Sequence, residues 1–334
     1  MNTDSFRTLQ APQTKETIVK PGELVDVREI SPLNLNDRKI YNLLIQNAGG
    51  DIARPVEHCI EKSALRFGDH NVNDRVGESV SRLMGAHALI KVMRDGQPAT
   101  QKVALLASNI EHDRADGKFY YTFAPELRKI LSDSSMFARL QRDVMLSFTS
   151  KYSLALYEMV MKRINLSRKQ DETFPLPEFR DLLGVPKGKL NTFGGLKQRA
   201  IQPAIEEVNH RGMVQVDIEP VKTGRAVTHV RLQWWRASGD KIDDTVVELS
   251  HASVGRKARQ KGTVEQLHPP RLRDKLRRQT LDRAKEQLVL HRLDIYAILE
   301  EWEEIAAKKG MPNNIDGAFI GYVKTAIEKS EQEM

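Results

Sequence analysis

Cysteine is almost absent from the chain: Cys59 is the single one in 334 residues. One thiol excludes an intramolecular disulfide and a cysteine-based zinc site, and it fits a reducing cytoplasm. None of the nine histidines stands two positions from another, so the paired metal-binding histidines of a DNA nickase are missing. A phosphate-binding loop is missing too. Its nearest approach, GVPKGKL at Gly184 to Leu190, has the wrong spacing and ends in leucine where a magnesium-binding hydroxyl is required. Nowhere do about 18 apolar residues run together, and the first residues lack a basic start followed by an apolar run, so neither membrane spanning nor export is expected. These gaps lead us to expect a cytoplasmic binding protein with no enzymatic activity, cofactor or metal.

What is present is charge and periodicity. Lys and Arg number 52 against 45 Asp and Glu, a formal net charge of +7 on a chain that is 40% hydrophobic and 29% charged. That balance describes a globular protein and fits either a polyanionic partner or a merely basic surface, and the length allows two ordinary domains and a tail.

The densest pattern runs from Phe174 to Trp235. Leu176, Phe179, Leu182 and Leu183 recur at helical spacing until Gly184, with Pro186 beyond. In FGGLKQRAIQPAIEEVNHRG, from Phe193 to Gly212, one apolar stripe holds Phe193, Leu196 and Ala200. Gln198 and Gln202 then fall on the opposite face, flanked by Lys197 and Arg199. Pro203 predicts a kink or a fresh helix start, with Ala204, Ile205 and Val208 as a second apolar phase. Two alternating strands follow. Val214, Val216 and Ile218 lead to a Lys222–Arg225 turn, and Thr228, Val230, Leu232 and Trp234 return from it. Helix, helix and hairpin in that order make a winged helix. Glutamine and arginine on an outward helical face suit the edges of adenine and guanine in a major groove, and Lys222 with Arg225 suits phosphate. The same surface also fits protein contact or a solvated basic face.

Toward the start, residues 1–32 are polar and carry Pro12, Pro21 and Pro32, which predicts a mobile arm with a short strand near Leu24 to Val27. Asn36 is the expected cap of a helix carrying Ile40, Leu43 and Leu44. A second helix is expected from Val56 to Phe67, around Cys59. A third begins at Asn73 or Asp74, with Arg75, Ser79 and Arg82 opposite Val76, Val80 and Leu83. A hairpin through Arg94-Asp95-Gly96 and a strand at Lys118 to Phe123 complete a second winged helix. Leu127, Ile130 and Leu131 suggest its closing helix. Ser150 then caps a strong helix through Ile164, read as the first of the second domain.

The runs SKYSLALYEMV, LPEFRDLLGV and FGGLKQRAIQPAIEEVN, with the hairpin ending VRLQWW, resemble the second winged-helix domain of the iteron-binding replication initiators of theta-replicating plasmids. Residues 35 to 132, including SVSRLMGAHALIKV, are similar to the first domain mainly in element order. The resemblance covers about two thirds of the chain. It implies an initiator that binds directly repeated duplex DNA at a plasmid origin, promotes melting of an adjacent AT-rich region and recruits a host replicative helicase and host initiator. It further implies a monomer that initiates, and a homodimer, formed through the first domain, that represses its own gene. Carried over by position, Lys197, Gln198, Arg199 and Gln202 lie on the recognition helix, Lys222 and Arg225 on the wing, and Arg75, Ser79 and Arg82 on the auxiliary helix of the first domain. Gly194-Gly195 departs from a usual helix start, and either lets backbone approach a phosphate or forms a turn. The rival reading is a winged-helix transcriptional regulator that binds an operator.

The expected fold is therefore α+β. It comprises an arm at 1–32, a first winged helix at 33–135, a second at 136–237, a basic linker at 238–270 and a helical C-terminal module at 271–334. GRKARQKG and the Arg and Lys residues up to Lys285 either hold phosphate or face water. Ile295, Ile298, Leu299, Trp302 and Ile305 share one helical face, with Phe319, Tyr322 and Val323 beyond, for a partner or for packing.

Overall fold

The computed structural model describes residues 14–29, 31, 33–67, 73–110, 117–166, 169–251, 256–260, 276–291, 293–309, 312 and 314–332. The chain forms two compact units, Met1–Ser253 and Val254–Met334.

The first unit begins with β1 (Thr17–Pro21) and β2 (Arg28–Glu29), then α1 (Leu35–Ala48), β3 (His58–Glu61) and α2 (Asn73–Met84). There follow β4 (His87–Arg94), β5 (Gln97–Ala104), β6 (Leu106–Ile110), β7 (Lys118–Phe123), α3 (Pro125–Ser132), β8 (Phe137–Gln141), α4 (Arg142–Ser147) and α5 (Lys151–Arg163). The second winged helix is built from β9 (Asp171–Pro175), α6 (Leu176–Leu182) and one long helix. That helix is α7 (Phe193–Leu196), a π turn (Lys197–Ile201) and α8 (Gln202–Arg211). The hairpin β10 (Val214–Thr223) and β11 (Ala226–Arg236) follows, and α9 (Gly239–Ser250) closes the unit.

Several expectations change. The N-terminal arm is not mobile over residues 17–29. Each residue of β1 pairs antiparallel with β8, from Thr17↔Gln141 to Pro21↔Phe137, and Ile18, Val19, Leu24 and Val25 enter the core. Residues 1–13 lie outside the described residues. β8, assigned from the sequence to the second domain, is thereby joined to the first. The expected helix at Val56 to Phe67 is instead strand β3 with one 3-10 turn after it. His58 and Ile60 point inward, and Cys59 and Glu61 outward, onto β7. Strand-like alternation over four residues outweighs a weak helical period there. Asn34, rather than Asn36, caps α1, in a reciprocal box with Asp37. Of the expected linker, Gly239–Ser250 is helical, because Thr245 and Glu248 turn inward and the Thr245 hydroxyl bonds the His210 carbonyl. Residues 252–255 and 261–275, which hold much of the basic run, lie outside the described residues.

One apolar core runs through both winged helices, and α5 stands at its centre. From Ser153 to Val160 every residue of α5 is buried, so this helix has no solvent face over that span. It packs on β8 and α1 on one side and α8 on the other. Ser150 caps it by accepting the Tyr152 N–H at 3.1 Å. A helix enclosed on all sides must still satisfy its polar residues. Glu158 does so by accepting from Lys20 Nζ at 2.8 Å and Asn42 Nδ2 at 2.7 Å. At its end Arg163 bonds Asp26 and Glu172, and Lys162 bonds Asp26, so a loop of the first winged helix and a strand of the second meet on one guanidinium.

The second unit holds α10 (Arg256–Gln260), α11 (Arg278–Leu290), α12 (Ile295–Lys309) and α13 (Ile315–Gln332). Ala284, Leu288, Ile298, Leu299, Trp302, Phe319 and Val323 form its separate core, with the Trp302 and Phe319 rings 5.0 Å apart. Asp316 accepts from the Arg277 N–H and the Thr280 hydroxyl, fixing the start of α13 to that of α11.

Two stability predictions follow from the joint at α5. Glu158→Ala strands the buried Lys20 ammonium and is expected to cost about 3–5 kcal/mol in denaturant unfolding, whereas Lys20→Met with Glu158→Leu is expected to cost far less. Burial alone would raise the Asp26 pKa, but Arg163 and Lys162 outweigh it and hold the carboxyl below its ordinary 3.8. A depressed carboxylate contributes stability above that value and loses it as pH falls through the lower folded pKa. Asp26→Asn is therefore expected to flatten the stability decline below about pH 4, measured as melting temperature against pH.

Candidate nucleic-acid interface

The helix that faces outward from the second winged helix is set by a conflict at Pro203. In a regular α-helix its ring would press on the Arg199 carbonyl and supply no N–H. The expected irregularity lies just before the proline, and a regular α-helical segment begins at Gln202. A π turn over Lys197–Ile201, closed by the Gln202 N–H on the Lys197 carbonyl, absorbs the proline, and the helix continues. The turn also corrects the phase. Steps of four residues drift by about 40° each in an α-helix, yet Leu196, Ala200, Ala204 and Val208 are all fully buried. The expected second apolar phase is thus a continuation of the first.

The opposite face carries Lys197, Gln198, Arg199, Gln202, Pro203 and Glu206, all exposed. Lys197, Gln198 and Arg199 make no side-chain hydrogen bond or ion pair among the described residues. Gln202 differs: its amide donates to Glu206 at 3.1 Å. Glu206 places a carboxylate one turn below the basic group and limits how far a polyanion extends along the helix.

Contacts at both ends hold this helix. Thr192 caps it by accepting the Gly195 N–H at 3.1 Å, so Gly194 and Gly195 form the first helical turn rather than a loop turn. Arg180 on α6 reaches the Leu190 carbonyl at 2.6 Å and the Lys189 carbonyl at 2.5 Å. It thereby braces a loop in which Leu190 adopts a φ of 51° and Gly188 one of 76°. Lys187 and Lys189 stand exposed on that braced loop, beside the helix start. Both lysines fall in the segment that fails as a phosphate-binding loop, and the K-G-K spacing ahead of the helix is the sequence signal that marks them. At the far end, Asn209 bonds the Val216 backbone in both directions, at 2.7 and 3.0 Å, tying helix to wing.

The wing extends well clear of the core. From Glu219 to Ala226 every residue is exposed, with Lys222 and Arg225 at the tip. The loop proper is Gly224-Arg225, and Gly224 takes the positive φ of 63° that a two-residue hairpin turn requires. A bulge between Val221 and Lys222 shifts the register near the tip and increases local twist. Pro220 sits on β10, an edge strand in the order β10-β11-β9, where its missing N–H costs no ladder bond. Strand β9 was not anticipated: Asp171–Pro175 is short and polar, and it is defined by pairing with His229 to Gln233. Arg231 on β11 is taken up by Asp171 and, more loosely, Glu219.

The expected face of the first winged helix is divided: Arg82 is exposed but ion-paired, whereas Ser79 is withdrawn into the core. Ser79 is fully buried, and Arg82 bonds both oxygens of buried Asp37 and lies 3.5 Å from Glu78. Hydrogen bonding to Asp37 raises the Arg82 pKa, as befits a cation fixed in an ion pair. The spacing that aligned Ser79 with Arg82 is correct, but that side of α2 packs toward the start of α1. The Arg75 side chain lies outside the described residues.

No curated protein matches the chain significantly. Among solved structures, one described as the crystal structure of Pi initiator protein in complex with iteron DNA aligns over 68% of this chain and 100% of its own, at 13% identity and a TM-score of 0.48. Two family models match: "Initiator Replication protein, WH1" over residues 17–161 and "Initiator Rep protein, WH2" over residues 175–234. The WH1 match takes in β1, β8 and most of α5, the elements that the structure joins to the first winged helix. With tandem winged helices in the matching order, the chain belongs to the initiator replication protein family.

Proposed function

We propose that the protein binds directly repeated duplex sites at a plasmid origin and initiates replication there as a binding protein, without catalysis of its own. The observation carrying this reading is the uncommitted Lys197-Gln198-Arg199 face on a helix held at both ends. Such a helix fits a major groove, where arginine reads guanine and glutamine reads adenine through paired hydrogen bonds. Lys222 and Arg225, together with Lys187 and Lys189, contact phosphate on either side and set orientation without reading sequence. Melting of an AT-rich tract, recruitment of a host helicase and host initiator, and repression by a dimer are the further steps of the proposal.

Footprinting on the DNA beside the coding region tests the reading. Protection of several direct repeats next to an AT-rich tract is expected; a footprint confined to one palindrome would favour an operator-binding regulator.

Variants divide the two roles. Arg199→Ala or Gln198→Ala is expected to weaken binding to the repeat by about 1–3 kcal/mol and scarcely affect random duplex. Equal losses on both DNAs would remove the base-reading role. Lys222→Ala with Arg225→Ala is expected to weaken both DNAs and reduce the salt slope of log K by about two. A change in sequence preference at constant salt slope would mean that the wing reads bases.

A further inference from the structure

The apolar stripe beneath the proposed recognition helix comprises Leu196, Ala200, Ile201, Ala204, Ile205 and Val208, two of them alanines. Packing of this kind is less directional than hydrogen bonding, and beyond the ties at Thr192 and Asn209 a further set of bonds bears on the register. Two turns below Arg199, Glu207 and Arg211 form an i,i+4 ion pair on α8, with Arg211 fully enclosed and Glu207 nearly so. Both reach the segment that leads from the end of α4 into α5. Glu207 Oε1 accepts from the Thr149 N–H at 2.8 Å and the Thr149 hydroxyl at 2.9 Å, and Arg211 Nη1 donates to the Ser147 carbonyl at 2.8 Å.

We infer that Glu207 and Arg211 are positioning residues for sequence recognition: they lock the rotation and axial register of the helix whose outer face reads DNA, while touching no DNA themselves. The argument is geometric. A buried ion pair is poor evidence of net stability, because apolar residues of similar volume commonly serve as well. Its particular contribution is directional, since each bond accepts only a narrow range of positions. A helix rises about 1.5 Å per residue, and base recognition tolerates displacements of about 0.5 Å. A small slip at Glu207 therefore carries Gln198 and Arg199 out of register with base edges, while phosphate contacts through flexible lysines persist.

The inference rests on the proposed recognition face, so the test includes a control on that face. The full chain is used with two probes: a duplex that the native protein selects from a random-sequence library, and the same duplex scrambled. Glu207→Leu with Arg211→Met is expected to keep the native melting temperature and circular dichroism and the native affinity for scrambled duplex. The ratio of selected to scrambled affinity is expected to fall about tenfold or more. An unchanged ratio at native melting temperature overturns the inference, as does a ratio that falls only in step with lost stability. Should the double variant fail to fold, Thr149→Val decides, because it removes one donor to Glu207 and keeps the ion pair. A fall of about twofold to fivefold in the ratio at native melting temperature supports positioning, and no fall overturns it. If Arg199→Ala collapses the ratio and the positioning variants do not, the positioning role alone falls; if Arg199→Ala also leaves it intact, the recognition face falls with it.

Discussion

The first unit is organised by the burial of α5 on every side. A helix without a solvent face between Ser153 and Val160 requires neighbours all round it, and no single winged helix supplies them. The chain meets the requirement by bringing its N-terminal strand back onto β8 and laying α8 against the other side. The two winged helices consequently share a core. The charged groups of α5 are paired inside that core, Glu158 with Lys20 and Asn42, and Arg163 with Asp26 of the first winged helix and Glu172 of the second. These bonds fix direction as well as contact, which apolar packing does poorly.

The helix proposed to read DNA inherits its placement from the same joint. Its buried side stays in phase because the π turn before Pro203 keeps Leu196, Ala200, Ala204 and Val208 on one line. Its start is braced by Thr192 and Arg180, and its end is tied to the wing by Asn209 and to the α4–α5 connection by Glu207 and Arg211. The exposed cationic and amide groups thus stand on a scaffold with little freedom to shift. That arrangement suits direct reading of bases, where a groove-facing side chain must arrive already oriented.

The second winged helix was legible in the sequence because its periods are strong: 3.6 in LPEFRDLLGV and near 2 in the hairpin strands. The Ser150 cap and the Gly224 turn were equally plain. What escaped were elements defined by distant partners. β1 is a five-residue segment whose pairing partner lies beyond residue 136, and β9 is polar until β11 gives it a place. A helical wheel also finds a face without saying what covers it. Arg82 and Ser79 share one side of α2 as expected, yet Arg82 is paired with Asp37 of α1 and bonds the buried Ser79 hydroxyl. At Pro203 the sequence predicts a kink or a fresh helix start; the form taken, a π turn followed by α8, keeps four buried residues on one side, which only the packed structure imposes.

The central claim is that the Lys197–Arg199 face enters the major groove. Dimethyl sulfate probing of guanine N7, which lies in that groove, tests it most directly when the native protein is compared with Arg199→Ala on its repeat at saturating concentration. The account predicts that the native chain shields specific guanines and that the variant exposes at least one of them while the rest of the footprint persists. An identical N7 pattern for the two proteins would contradict it.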